Sequence, residues 1–174
     1  MADALQLEIV TPTGVALRAK VAELTAPSVA GEFGVLPGHV PVLAALRAGT
    51  VTYREGAEEH KVAVGPGFVE ILDDKAVVLT EKFSRRDQID VIQTRIRLKE
   101  VDDELAAWAG EITDPKRADL IEEEQWLGAL LELHGDPPPP TMREDTRFVQ
   151  RTDDVVVDTG DAAAEDTTTT KGAY

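Results

Sequence analysis

The 174-residue sequence has no cysteine, few aromatic residues and no basic segment. The absence of cysteine excludes a disulfide framework and thiolate-ligated metal sites. Lysine and arginine number 18 against 33 aspartates and glutamates, and the formal net charge is −15. Binding to nucleic acid or to an anionic lipid surface is therefore not expected. The chain also lacks a signal-peptide pattern and an apolar run of about 18 residues, which predicts a soluble, intracellular protein.

Motifs that carry enzyme chemistry are scarce as well. His39, His60 and His134 lie on separate segments without the spacing of metal ligands, and neither a Gly-x-x-x-x-Gly-Lys loop nor a Gly-x-Ser-x-Gly elbow occurs. The glutamates at 122–124 are typical of a solvated helix face rather than of a metal site. The sequence thus predicts a non-catalytic interaction protein with no catalytic residue, no metal and no cofactor.

Short apolar alternations separated by turn residues fill the first half of the chain. Leu5, Leu7 and Ile9 alternate with polar residues, and similar runs recur up to about Phe83. Strict alternation places one buried face on each strand, and turn signals at intervals of roughly 8–12 residues are typical of an all-β domain. Residues 1–86 are predicted to form an antiparallel β-sandwich.

The apolar period changes to that of a helix after residue 83. One predicted helix face has residues at alternating spacings of three and four, all of them apolar except Thr94: Val91, Thr94, Leu98, Val101, Leu105, Trp108 and Ile112. Ile89, Ile92 and Ile96 lie on the opposite side. We therefore expect the first turns of this helix to pack on the sandwich with one face and on a partner helix with the other.

A second helix is predicted to begin at Asp114-Pro115, because Asp is a good N-cap and Pro suits the first helical position. Its apolar stripe is followed by Gly135 and Pro137, which end it; the stripe comprises Leu120, Trp126, Leu127, Leu130, Leu131 and Leu133. Residues 87–135 should form an antiparallel two-helix hairpin. The proline-led, acidic and threonine-rich residues 136–174, here called the tail, are predicted to be disordered.

The stretch from Gly31 to Pro41 combines three glycines and two prolines with apolar side chains. So many turn-forming residues in eleven positions predict a fixed, functional loop. Glu32 and His39 lie near its bend, where an acid–base pair of a small hydrolase is one interpretation. The favoured interpretation is a binding loop that displays a carboxylate and a partly buried histidine.

The order of these features resembles the epsilon subunit of bacterial F-type ATP synthase. The likeness runs from about Leu5 to Leu133, and it rests on the sandwich, the Gly31 to Pro41 stretch, Gly65-Pro66-Gly67-Phe68-Val69-Glu70, and Asp87-Gln88-Ile89-Asp90 before the hairpin. It implies a ten-stranded sandwich and two helices in a non-catalytic rotor subunit. Such a subunit is peripheral, on the cytoplasmic face of the cell membrane, and couples proton flow to ATP synthesis.

The resemblance also implies partners, namely the gamma subunit and the c-ring, with membrane association only through the complex. By position, Glu32 corresponds to the acid that faces the ring and His39 to the histidine that faces the gamma shaft. The partner-binding residues expected from this are Glu32, Phe33, Gly34, Leu36, Pro37, Gly38 and His39. A free-standing β-sandwich module whose helices form a homodimer is the alternative.

The hairpin departs from the family pattern in charge. In inhibitory family members, basic residues of the second helix meet the catalytic alpha and beta subunits when the hairpin extends. Here Lys116 and Arg117 are followed by no basic residue until Arg143, and the helix carries four glutamates. Because like charges repel across an interface, inhibition by this route is expected to be weak or absent.

A family motif for ATP, Ile/Leu-Asp-x-x-Arg-Ala, is matched incompletely at the start of the first helix. Asp90 is present, but Gln93 and Thr94 stand where Arg and Ala belong. A second match at the other helix contains Asp114 and Arg117. Neutral Gln cannot replace a bidentate phosphate contact, so ATP binding is not expected.

Overall fold

Ten strands followed by two helices make up the computed structural model, which describes residues 4–135 and residue 137. The sandwich-plus-hairpin fold predicted from the sequence is confirmed. The strands are β1 Leu5–Thr11, β2 Gly14–Val21, β3 Glu23–Ser28, β4 Gly31–Val35, β5 Val42–Leu46, β6 Gly49–Glu55, β7 Glu58–Val64, β8 Gly67–Leu72, β9 Lys75–Thr80 and β10 Phe83–Ser84. A short 3-10 helix, Arg86–Gln88, leads into α1, Val91–Ala106, and α2 covers Pro115–His134.

The strands follow the order β10-β7-β6-β3-β5-β8-β9-β1-β2, and β4 pairs with β3 beside this path. Nearly all pairs are antiparallel, but β1 and β9 run parallel. These two strands are distant in sequence, so no tight hairpin has to join them. The inward side chains form one core, which includes the predicted Leu5, Leu7 and Ile9 at 1% exposure or less.

The pairing of β8 with β9 depends on the backbone of their connecting turn and on a glycine at the start of β8. Asp73 and Asp74 adopt positive φ angles of 49° and 57° in the turn between β8 and β9, which is the geometry of a tight hairpin turn. Gly67 begins β8 where the strand meets β9 closely. A Cβ atom at this glycine would lie 1.9 Å from the backbone oxygen of Leu79, so a side chain would force the two strands apart.

The boundaries of α2 agree with the sequence prediction. The Asp114 side chain accepts a hydrogen bond from the Lys116 backbone nitrogen at 2.9 Å, and Pro115 is the first helical residue. The helix ends at Gly135, whose φ of 99° is the left-handed conformation of a C-cap glycine. α2 packs on α1 with one side and on β6 and β7 with another.

The predicted extent of the first helix is wrong. α1 ends at Ala106, so Trp108 and Ile112 lie in the connection, and Ile112 is 61% exposed. The Trp108 indole nitrogen donates to the backbone oxygen of Glu111 at 3.1 Å, a contact within the connection. The chain has to reverse before the Asp114 cap, and a continuing apolar period does not reveal that reversal.

The predicted docking of the first helix on the sandwich is also wrong. Ile92 and Ile96 are 71% and 49% exposed, whereas it is α2 that contacts β6 and β7. Ala63 of β7 lies on the α2 side of the sheet and is fully buried. The broad apolar surface of α2 covers this face, which leaves the second face of α1 to solvent.

The stretch from Gly31 to Pro41 is not a single loop. Its first five residues form β4, which pairs with β3, and the remainder forms a turn and an extended link to β5. The glycines are compatible with a loop and with a strand. Pairing with the edge of β3 favours the strand. The predicted disordered tail lies outside the described residues, apart from Pro137.

Candidate partner-binding surface

The strand β4 presents the first group of predicted binding residues. Glu32 pairs with Pro27 of β3 and is exposed, and Phe33 pairs with Ala26 and is half-buried against the core. Among the described strands, β4 pairs only with β3. Its other edge therefore keeps backbone groups that are available to a partner.

The residues after β4 form a tight turn that the neighbouring hairpin holds in place. The His39 backbone nitrogen donates to the Leu36 oxygen at 3.1 Å, and Gly38 has a φ of 79° after Pro37. This is the pattern of a type II turn. The Gly38 nitrogen also donates to an Asp74 side-chain oxygen at 2.6 Å, so the turn is fastened to the β8–β9 hairpin.

The structure does not bring Glu32 and His39 together as an acid–base pair. Glu32 is the second residue of β4, whereas His39 follows the turn at the opposite end of that strand. The His39 Nδ1 atom lies 2.7 Å from the Val40 backbone oxygen. The arrangement offers two separate contact points rather than a general acid and a general base.

An apolar row crosses the outward side of strands β5, β8, β9, β1 and β2, next to a row that contains the charged Glu70, Glu8 and Arg18. One row of cross-strand neighbours runs through all five strands: Ala45, Phe68, Leu79, Val10 and Val15. Cross-strand neighbours have Cβ atoms about 5 Å apart, so the row is continuous. We call this row, together with Leu43 of β5 and Leu72 of β8, the outer apolar face.

The outer apolar face is solvent-exposed in the isolated chain. Phe68 is 54% exposed, Leu79 50% and Leu43 70%, which is unusual for large apolar side chains on a soluble surface. At the side nearest α2, the face forms a groove of about 530 Å³ that Glu122 borders. Contiguous apolar surface of this kind marks an interaction site.

Sequence reasoning singled out none of these residues as binding residues. The signal was present, because β8 and β9 are apolar at consecutive positions instead of alternating, as in Phe68-Val69 and Val77-Val78-Leu79. Strands that are apolar on both sides are usually covered on both sides. The core covers one side here, and the other side is exposed.

An ion pair joins the two helices of the hairpin. The Arg97 Nε and Nη2 atoms donate to the two carboxylate oxygens of Glu123 at 2.7 and 2.8 Å. Such a bidentate geometry is the strong form of an exposed ion pair. Lys82, just before β10, lies 3.7 Å from Glu122 and links the sandwich to α2.

These contacts shift the pKa of both partners in the direction of the charged forms. Hydrogen bonds from Arg97 lower the pKa of Glu123 below its usual 4.5, although partial burial opposes the shift. The same contact raises the pKa of Arg97. Glu8 on β1 likewise has a lowered pKa, because Arg18 donates a hydrogen bond to it.

The three candidate nucleotide contacts do not form one site. Asp90 caps α1 and accepts from the Gln93 nitrogen at 3.0 Å, while Asp114 and Arg117 lie at the start of α2. Because the helices form a hairpin, these positions are at its opposite ends, about 24 Å apart along the 16 residues of α1. Both aspartates act as helix caps.

Residues 4–135 and 137 hold no cluster of three or more His, Cys, Asp or Glu side chains arranged to bind a metal ion. Neither helix in this part of the chain has the length and apolar character needed to cross a membrane.

Known proteins that are similar to this chain in sequence are subunits of ATP synthase. Residues 4–86 match the family model described as "ATP synthase, Delta/Epsilon chain, beta-sandwich domain". The chain is 42% identical over 98 residues to ATP synthase epsilon chain 2 of Syntrophotalea carbinolica, covering 56% of this chain and 71% of that relative. It is 43% identical over 95 residues to the epsilon chain of Nitratidesulfovibrio vulgaris, with 55% and 71% covered. The chain belongs to the ATP synthase epsilon chain family.

Solved structures of ATP synthases share the fold. A chain of the Euglena gracilis mitochondrial ATP synthase, in a structure of OSCP, F1 and c-ring, aligns with a TM-score of 0.62 at 21% identity, over 74% of this chain and 79% of that chain. A chain of the Tetrahymena thermophila central stalk and c-ring aligns with a TM-score of 0.51 at 12% identity, over 75% and 96%. At these identities the likeness concerns the fold.

The contribution of Glu123 to hairpin stability is predicted to depend on pH. Its lowered pKa means that the contribution is present above about pH 4.5 and is lost as the pH falls through the folded-state value. At pH 7, Glu123→Gln should lower the stability of the hairpin by about 0.5–1 kcal/mol, and the difference should shrink below pH 4.5. Both tryptophans, Trp108 and Trp126, lie in residues 87–135, so denaturant unfolding followed by tryptophan fluorescence measures it.

The matched control is Glu132→Gln, which changes an exposed glutamate of the same helix. The unfolding free energy of this variant should equal that of the wild type at pH 7 and at pH 3.5. A stability difference for Glu123→Gln that stays constant between pH 7 and pH 3.5 would contradict the assignment.

Proposed function

We propose that the chain is the epsilon subunit of a bacterial F-type, proton-translocating ATP synthase, in the central rotor stalk. There it couples proton flow through the c-ring to ATP synthesis and is itself non-catalytic. The observation that carries the proposal is the identity of about 42% to bacterial epsilon chains, across a sandwich whose outer apolar face is exposed. The subunit lies on the cytoplasmic face of the cell membrane and is held there only by the complex.

The gamma subunit is the proposed partner of the outer apolar face and of His39. Burial of apolar surface contributes roughly 25 cal/mol per Å², and Phe68, Leu79 and Leu43 offer large exposed side chains on a rigid sheet. A rigid surface loses little entropy on docking. His39 follows the turn that is bonded to Asp74, at the end of β8 where Leu72 lies, and adds a polar contact there.

The polar loops of the c-ring are the proposed partners of Glu32 and of the turn residues 36–38. Glu32 is exposed on an edge strand, and the turn is fixed by the hydrogen bond from Gly38 to Asp74. Both features present polar groups without long flexible side chains. Phe33 supports the strand from the core side, and Gly34 keeps its exposed side narrow.

The hairpin is proposed to stay folded on the sandwich and to inhibit ATP hydrolysis weakly or not at all. Its second helix is anchored on β6 and β7 and joined to α1 by the Arg97–Glu123 pair. An extended hairpin would bring Glu122, Glu124 and Glu132 to the catalytic alpha and beta subunits, where acidic residues repel them. No nucleotide cofactor is proposed, because Gln93 and Thr94 stand where the family motif has Arg and Ala.

Substitutions on the outer apolar face should weaken binding to the gamma subunit. Phe68→Asp and Leu79→Asp each remove an apolar contact of about 1.5–3 kcal/mol and place a charge in the interface, so gamma recovery should fall about tenfold or more. The measurement is affinity purification of the tagged chain from gently solubilised membranes, with gamma and c subunits quantified. Ile112→Asp is the control, because Ile112 is equally exposed but lies in the hairpin connection. Recovery of gamma at wild-type levels with both variants would contradict the proposed surface.

Removal of the hairpin should change ATP hydrolysis by the complex less than about twofold, because exposed ion pairs to the catalytic head are too few to stabilise an extended state. The test compares the hydrolysis rate of complexes that contain the full chain with those that lack residues 87–174. Truncation after Gly135 is the control, since it removes the tail and keeps both helices. A large rise in hydrolysis on removal of the hairpin, with no rise in the control, would refute weak inhibition.

A further inference from the structure

The outward side of α1 combines two exposed isoleucines with two basic residues. Ile92, Arg95, Ile96 and Lys99, here called the α1 strip, are spaced three and four residues apart and so share one side of the helix. The buried residues Thr94, Leu98, Val101 and Leu105 lie on the opposite side, towards α2. Ile92 is 71% exposed and Ile96 49%.

The α1 strip lies in the basic half of its helix. The first nine residues of α1, 91–99, contain Arg95, Arg97 and Lys99 and no acidic residue, whereas the remaining seven contain four acidic residues. Arg97 is engaged with Glu123 between the helices, and Lys99 pairs with Asp103 at 3.0 Å in an exposed ion pair, a kind that is weak and open to exchange with another carboxylate. In a chain with a net charge of −15, this strip is suited to an acidic segment that also carries apolar side chains.

The helical hairpin ends close to the start of α1. α2 ends at His134, whose backbone oxygen accepts a hydrogen bond from Arg86 Nη2 at 3.1 Å. Arg86 begins the short 3-10 helix that leads directly into α1. The tail therefore starts next to the first turns of α1, and it includes 37 residues after Pro137.

The tail contains one segment that has both the apolar side chains and the negative charge that the α1 strip would bind. Residues 153–158 read Asp-Asp-Val-Val-Val-Asp, three valines flanked by three aspartates. The other apolar pair of the tail, Phe148-Val149, is flanked by Arg147 and Arg151, which the basic strip would repel. Charge thus distinguishes the two segments.

We infer that residues 153–158 bind to the α1 strip of the same chain. The valines pack on Ile92 and Ile96, and the aspartates lie near Arg95 and Lys99. The tether of 21 residues from Gly135 to Val156 reaches the strip with slack, since an extended chain spans about 3.3 Å per residue. The contact is independent of the rotor assignment, because it involves only this chain.

An intramolecular contact of this size needs no high affinity. A flexible tether supplies an effective concentration in the millimolar range, so even a weak contact is populated. The charged part of the contact should weaken with salt, because exposed charges are screened within about 10 Å at 0.1 M ionic strength.

Cysteine cross-linking of the full chain tests the contact, since the natural sequence has no cysteine. Ile96→Cys is combined either with Val156→Cys or with Val149→Cys, and the initial rate of intramolecular disulfide formation is measured under mild oxidation. A tail without a specific contact favours Val149, whose tether is 14 residues instead of 21, by about twofold. The inference predicts the reverse order, with Val156 reacting about fivefold faster than Val149.

Two further measurements make the result unambiguous. Replacement of Asp153, Asp154 and Asp158 by Asn should remove most of the advantage of Val156, as should 1 M salt. A rate for Val149 that equals or exceeds that for Val156 would overturn the inference. Disulfide-linked dimers in place of intramolecular cross-links would overturn it too, because they would show that a second copy covers the strip.

Discussion

The packing of α2 on the outer side of β6 and β7 determines which surfaces of the protein remain for partners. A β-sandwich of this size has two outward faces, and the hairpin covers only one of them. Ala63, on the α2 side of β7, is fully buried as a result. The face with Phe68 and Leu79 is bordered by α2 at Glu122 but is not covered by a helix, and both side chains stay exposed. Because one face is covered and the other is exposed, the proposed docking surface stays accessible.

The same packing explains how the hairpin keeps its position. α2 is fixed to the sandwich by apolar contacts, by the Lys82–Glu122 pair and by the contact of Arg86 with the His134 oxygen. α1 touches the sandwich little and is held chiefly through α2, across an apolar seam and the Arg97–Glu123 pair. Extension of the hairpin would have to break the contact of α2 with the sandwich and the contact of α1 with α2. An acidic second helix gains little from that extension, which is consistent with a structural role.

Local chemistry in the sequence was sufficient for most elements. Alternation predicted β1, and the Asp114-Pro115 and Gly135 signals predicted both ends of α2, because each depends on neighbouring residues alone. The extent of α1 was mispredicted, since an apolar period can continue through a chain reversal.

Features that depend on tertiary packing were not predicted from the sequence. Nothing local indicates that α2 rather than α1 covers the sheet, or that β3 recruits Gly31–Val35 as a strand. The predicted binding residues Glu32 and His39 were found at separate ends of β4, whereas the outer apolar face emerged only when strand register aligned Phe68 with Leu79. Register across distant strands is set by the whole sheet.

The most direct test of the rotor-stalk account is hydrogen exchange of this chain, compared between the isolated protein and the assembled ATP synthase. The account predicts slower amide exchange on assembly in residues 31–41, 67–72 and 75–80, and little change in α1. Unchanged exchange at 67–72 and 75–80, or protection confined to the hairpin, would contradict it.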